Sequence, residues 1–155
     1  MQESSLKTSL NCVREYCKMP IPNILLVEDS KTARMAAKRI LTKAGYIVTT
    51  AEDGEEALRL AESARPDVVL LDMLLPRLSG EQVLRRLKQN PATVHIPVIV
   101  TTALPRKNAP KLMEEGAAAF VEKEYLLDEI LGLLAYYSPI CAVGESIEVN
   151  VSSLC

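Results

Sequence analysis

No CxxC pair occurs in this chain, whose four cysteines, Cys12, Cys17, Cys141 and Cys155, lie near its two ends. That spacing excludes the paired-thiol patterns of zinc and thioredoxin-like redox sites and predicts reduced thiols. Neither sign of charge dominates. Eighteen basic residues face 20 acidic ones for a formal net charge of -2, so no electrostatic footprint argues for nucleic acid or an anionic membrane as partner. Long apolar runs are missing as well. The most nearly continuous one, Ile130 to Val143, is broken by Gly132, Ser138 and Pro139 and falls short of the roughly 18 residues a membrane span needs. The first residues carry Glu3, Lys7, Arg14 and Glu15, which leaves no hydrophobic stretch of the signal-peptide kind. Together these absences predict a soluble, cytoplasmic protein. What is present, 155 residues of which 48% are apolar and 25% charged, suits one globular domain with terminal segments to spare.

From Ile24 onward, short aliphatic runs alternate with stretches of helical periodicity. "ILLVED" precedes "KTARMAAKRILTKAG", with Ser30 as the expected cap. "YIVTTA" precedes "EDGEEALRLAESAR", with Asp53 as cap and Ala57, Leu58 and Ala61 as an inner stripe. "DVVLLD" with "SGEQVLRRLKQN", "IPVIVTTA" with "RKNAPKLMEEG", and "AAFVEK" with "YLLDEILGLLAYY" complete five strand-helix units. Units of this length predict a doubly wound α/β domain, a five-stranded parallel sheet with five helices on its two faces. The expected organisation is an N-terminal extension over residues 1–22, the α/β domain over 23–137 and a C-terminal tail over 138–155.

Ligands of such sheets bind where strands end at their carboxyl edge. The strand ends here are Glu28 and Asp29, Asp72, Thr102 and Lys123. Three carboxylates within about 4 to 5 Å of one another repel by roughly 4 kcal/mol per pair at an effective dielectric near 20, more than one lysine offsets. A hard divalent cation with oxygen ligands would relieve the repulsion, and Mg²⁺ suits a site of few carboxylates that takes up a phosphoryl oxygen. Such a site supports attack of the Asp72 carboxylate on phosphorus, with Lys123 as a second positive clamp and Thr102 as hydroxyl donor to the phosphoryl oxygens.

"LLVEDS", "LLDMLLPRLSG", "IPVIVTTA" and "GAAAFVEK", in this order, closely resemble the receiver domain of two-component response regulators over roughly residues 23–137. The resemblance implies a flavodoxin-like fold and phosphorylation of Asp72 by the phosphohistidine of a sensor histidine kinase or a phosphotransfer protein. It implies Mg²⁺ held by Asp29, Asp72 and the backbone carbonyl of Leu74, with Glu28 acting mainly through water. It further implies a switch in which Thr102 moves toward the phosphoryl group and Phe120 follows, changing the face built from the fourth helix, fifth strand and fifth helix, where a downstream protein target would bind. No catalytic turnover is expected beyond self-phosphorylation from small donors and self-dephosphorylation.

Two departures bear on these expectations. Glu124 stands where most receivers have proline after the lysine, which predicts a trans bond or a shifted loop. Leu74 and Leu104 flank the acceptor site and offer water no hydrogen bond, which predicts slow loss of the phosphoryl group. A phosphatase of the haloacid dehalogenase type is a weaker alternative, because it needs a second aspartate where this chain has Leu74. A receiver-like scaffold that binds partners without phosphorylation is the other alternative.

Other features read as structural. His95 sits in a loop at the opposite end of the fourth strand, and Arg85, Arg86 and Lys88 read as the solvated face of the third helix. Leu6, Leu10, Val13 and Cys17 form an amphipathic stripe that could pack on the domain, pair with a second copy in a homodimer or simply fray. "GESIEVNVSSLC" alternates like a short edge strand. Nothing after residue 137 has the length expected of a DNA-binding or catalytic output domain, which predicts action through protein contacts or phosphoryl relay.

Overall fold

The computed structural model describes residues 20–103 and 106–138. The N-terminal stripe, the C-terminal alternation and Leu104 lie outside the described residues.

Five parallel strands form one sheet in the order β2-β1-β3-β4-β5: β1 (Asn23–Val27), β2 (Ile47–Ala51), β3 (Val68–Asp72), β4 (Val98–Thr102) and β5 (Ala119–Glu122). The position of each strand follows from its composition. β3 (VVLLD) and β4 (VIVTT) are buried at every residue, β1 at all but its first, as unbroken aliphatic runs covered on both faces must be. β2 (IVTTA) carries threonines and a half-buried pattern and takes an edge.

Capping chemistry sets where the helices start. α1 (Lys31–Lys43) begins after Ser30, α2 (Gly54–Ala64) after Asp53, whose carboxylate accepts from the Glu56 N–H at 2.9 Å. α3 (Gly80–Gln89) begins at Ser79 in a reciprocal capping box with Gln82. The stretch expected to form the fourth helix divides, a 3₁₀ turn over Arg106–Asn108 leading into α4 (Ala109–Glu114). Pro110 explains the late start, since proline is tolerated only in a first helical turn. α5 (Leu126–Tyr137) follows a 3₁₀ turn over Lys123–Tyr125.

Strand alternation divides the interior into two cores. Leu25, Val27, Val69, Leu71, Val98 and Val100 pack beneath Ala57, Ala61, Val83, Leu84, Leu87 and Leu112 of α2, α3 and α4. Ile24, Leu26, Val68, Leu70, Ile99 and Val121 pack against Leu41, Ile130 and Leu134 of α1 and α5. Each valine, leucine or isoleucine so buried stabilises the fold by roughly 2 kcal/mol. Pro22 is buried and its carbonyl accepts from the Ile47 N–H, and buried Ser138 follows α5, its N–H donating to the Leu134 carbonyl. No helix among the described residues is long and apolar enough to cross a membrane.

Lys88 departs from the solvated-face expectation. Its ammonium donates to the carbonyls of Ile96 at 2.6 Å and Val94 at 3.2 Å. It closes the loop into β4, helped by Thr93, whose hydroxyl donates to the Leu87 carbonyl at 2.8 Å. His95 in the same loop is exposed, as expected.

Candidate acidic pocket at the carboxyl edge

The two-residue period of a strand delivers the site. Val68 and Leu70 face the core beneath α1 and α5, and Asp72 is the next residue in that row. Ile24 and Leu26 face the same way, which brings Glu28 to that side, and Ala119 and Val121 likewise lead to Lys123. In register, Val27 pairs with Leu71, so Glu28 and Asp72 come one step beyond on neighbouring strands.

Carboxylate oxygens of Glu28, Asp29 and Asp72 all lie within 4.8 Å of one another. Asp72 is 1% exposed and Glu28 7%, whereas Asp29 opens to solvent. The Lys123 ammonium donates to Asp72 Oδ2 and to Glu28 Oε2, each at 2.7 Å. Burial would lower the Lys123 pKa. Its hydrogen bonds to the two carboxylates, reinforced by their charges, outweigh that and hold the ammonium above its ordinary range. The remaining oxygens of the two buried acids accept from the backbone: Asp72 Oδ1 from the Leu74 N–H at 3.1 Å and Glu28 Oε1 from the Ser30 N–H at 3.2 Å. Three carboxylates against one ammonium leave the pocket electronegative, and its hard oxygen donors could hold a metal cation.

The loops that frame the pocket are tied down individually. Gly80 cannot carry a side chain, since a Cβ there would stand 2.3 Å from the Asp72 carbonyl oxygen and 2.6 Å from Met73 Cα. Arg77, at φ 64, forms an ion pair with Asp53 and so fastens the loop after β3 to the start of α2. Leu74 stands 55% exposed in this loop.

Thr102 and Phe120 lie at the same carboxyl edge but in the rows that face the other core. Thr102 is fully buried at the end of β4, one residue past the Asp72–Thr101 pair. Val100 pairs with Phe120, and half-buried Phe120 packs on the core that holds Val98 and Val100, so Thr102 and Phe120 share a sheet face on adjacent strands. No cis peptide bond occurs among the described residues, and exposed Glu124 sits in the 3₁₀ turn without drawing Lys123 out of the pocket. Sequence reasoning missed one member of this edge, Arg34. Buried in the first turn of α1, it donates to the carbonyls of Glu28 at 2.7 Å and Asp29 at 3.2 Å and to Glu52 at 2.5 Å. A basic residue in a helix's first turn, where the dipole disfavours it, was the available signal.

Comparison with known proteins places these residues in context. The family profile described as response regulator receiver domain matches residues 24–135. The chain is 36% identical over 141 residues to the response regulator MprA of Mycolicibacterium vanbaalenii, a match that covers 88% of this chain and 60% of that protein. It is 38% identical over 109 residues to the response regulator PleD of Caulobacter vibrioides, covering 70% of this chain and 24% of that one. The chain therefore spans only part of the length of these relatives. Among solved structures, Vibrio cholerae chemotaxis protein CheY4 superposes with a TM-score of 0.70 at 27% identity, over 76% of this chain and 99% of that one. The receiver domain of sensor histidine kinase PA1611 from Pseudomonas aeruginosa PAO1, with a magnesium ion coordinated in its active-site cleft, superposes with a TM-score of 0.68 at 29% identity, over 76% of this chain and 98% of that one.

Proposed function

The chain belongs to the response regulator receiver domain family of two-component signalling, and from that premise we propose that it is a cytoplasmic switch that accepts a phosphoryl group on Asp72 and changes its protein contacts in response. The observation that carries the reading is the bridge that Lys123 makes between Asp72 and Glu28, with Asp29 at the rim of the same pocket.

Asp72 is the nucleophile. One carboxylate oxygen attacks the phosphorus of a phosphohistidine on a sensor kinase or phosphotransfer protein. A P–O bond forms as the P–N bond breaks, and the imidazole leaves. Lys123, already charged and 2.7 Å from Asp72, pairs with the phosphoryl oxygens as they arrive. Asp29, Asp72 and the Leu74 carbonyl would hold Mg²⁺, which when bound neutralises charge on the transferring group. Glu28, whose oxygens accept from the Ser30 N–H and from Lys123, would act mainly through water, as the family resemblance implies. Thr102 supplies a hydroxyl beside the new phosphoryl group, and Phe120 on the same sheet face follows its movement. The output surface is the α4–β5–α5 face, whose helices expose Met113, Leu131 and Tyr136.

Incubation of the full chain with Mg²⁺ and acetyl phosphate, followed by intact mass, tests the proposal. A single phosphoryl mass gained by the wild type and absent from Asp72→Asn is the expected result. Release of many phosphates per chain would favour a phosphatase, and no uptake by the wild type would leave the scaffold alternative.

A further inference from the structure

Arg34 is an anomaly until its partners are considered. It sits in the first turn of α1, which carries no acidic residue to complement the helix dipole, and its positive charge opposes both that dipole and any cation bound nearby. Its side chain nevertheless leaves solvent. One guanidinium nitrogen spans the consecutive carbonyls of Glu28 and Asp29, the two residues whose carboxylates enter the pocket. The other nitrogen is anchored by Glu52, just beyond β2 on the neighbouring strand. A planar fork with fixed donors suits three acceptors held at once.

We propose that Arg34 is a positioning residue for the acidic pocket, clamping the peptide carbonyls of Glu28 and Asp29 so that their carboxylates stay preset to receive a divalent cation. The inference rests on the cation-dependent phosphoacceptor reading above. Electrostatics and positioning give opposite signs: loss of a nearby positive charge by itself tightens cation binding, whereas loss of the clamp weakens it.

The test is calorimetric titration of the full chain with Mg²⁺ for wild type, Arg34→Ala and Arg34→Lys, with thermal unfolding in EDTA as a check on folding. Arg34→Ala is expected to bind Mg²⁺ about 10- to 100-fold more weakly, as removal of partners behind metal ligands commonly does. Phosphorylation by acetyl phosphate returns to near the wild-type rate when Mg²⁺ is raised to saturation. A folded Arg34→Ala that binds Mg²⁺ as tightly as wild type, or more tightly, overturns the inference. If that variant fails to fold, Arg34→Lys decides: it keeps the charge and loses the fork, so weakened binding supports the clamp and unchanged binding overturns it. Failure of the wild type itself to bind Mg²⁺ overturns the underlying reading, which separates the two.

Discussion

Lys123 reaches Asp72 across an intervening strand: the lysine follows β5 and the aspartate ends β3, yet ammonium and carboxylate stand 2.7 Å apart over the end of β4. Asp72 and Glu28 are almost wholly buried, so removing their shared cation leaves two acids uncompensated. Lys123→Met is expected to lower stability by about 3 kcal/mol in EDTA. Added Mg²⁺ narrows the gap, because a second cation is then available. Urea unfolding with and without the metal measures both quantities.

The same bridge sets a pH response in metal-free buffer. Burial would lower the lysine pKa, but its carboxylate partners raise it above the ordinary 10.5. A raised lysine value means that its stabilisation is complete below the unfolded pKa and is lost as pH climbs through the folded one. The stability difference between wild type and Lys123→Met is therefore constant up to about pH 10.5 and shrinks above it. A difference that grows instead contradicts the assignment.

Gly80 leaves no space beside Asp72. Its Cβ would meet backbone atoms, the Asp72 carbonyl at 2.3 Å and Met73 Cα at 2.6 Å, and backbone cannot rotate aside as a side chain can. Gly80→Ala is expected to cost about 3 kcal/mol, read as a lowered Tm, and to slow phosphorylation by displacing Asp72.

Asp53 does two separable things, capping α2 and pairing with Arg77. Asp53→Asn keeps the cap and loses the charge, so it should cost under about 0.5 kcal/mol, as exposed ion pairs do. Asp53→Ala loses both and should cost about 1 to 2 kcal/mol. Denaturant midpoints of the two variants resolve them.

Leu74 stands exposed at the rim and offers water no hydrogen bond from its side chain. Leu74→Asn supplies one and is expected to shorten the phosphoryl lifetime several-fold, followed as loss of phosphoryl mass with time. A wild-type half-life of only seconds would contradict the role given to Leu74.

The strands and the acids at their ends were legible because strand geometry repeats every two residues. Once "ILLVED" and "VVLLD" are read as buried strands, Glu28 and Asp72 must emerge on the same side. Lys123 follows by the same count from Ala119 and Val121. Arg34 offered only the signal of its unfavourable place at a helix start and Lys88 none, since a basic residue on a helix has the same local pattern whether it meets water or backbone carbonyls. Their partners, Glu28, Asp29 and Glu52 for one and Val94 and Ile96 for the other, are fixed by tertiary packing. The late start of α4 needed only Pro110 to be weighed against the run of helix-forming residues around it.

Because the acids and the lysine come from β1, β3 and β5, no single strand-helix unit contains the pocket, and an ion held there recognises only the completed sheet. By mass action such an ion acts as ballast for the native chain, adding about 2.7 kcal/mol when free cation stands at a hundred times its dissociation constant. With Mg²⁺ bound as proposed, the resilience of this protein to heat would follow the magnesium content of its surroundings, independent of any signal it carries.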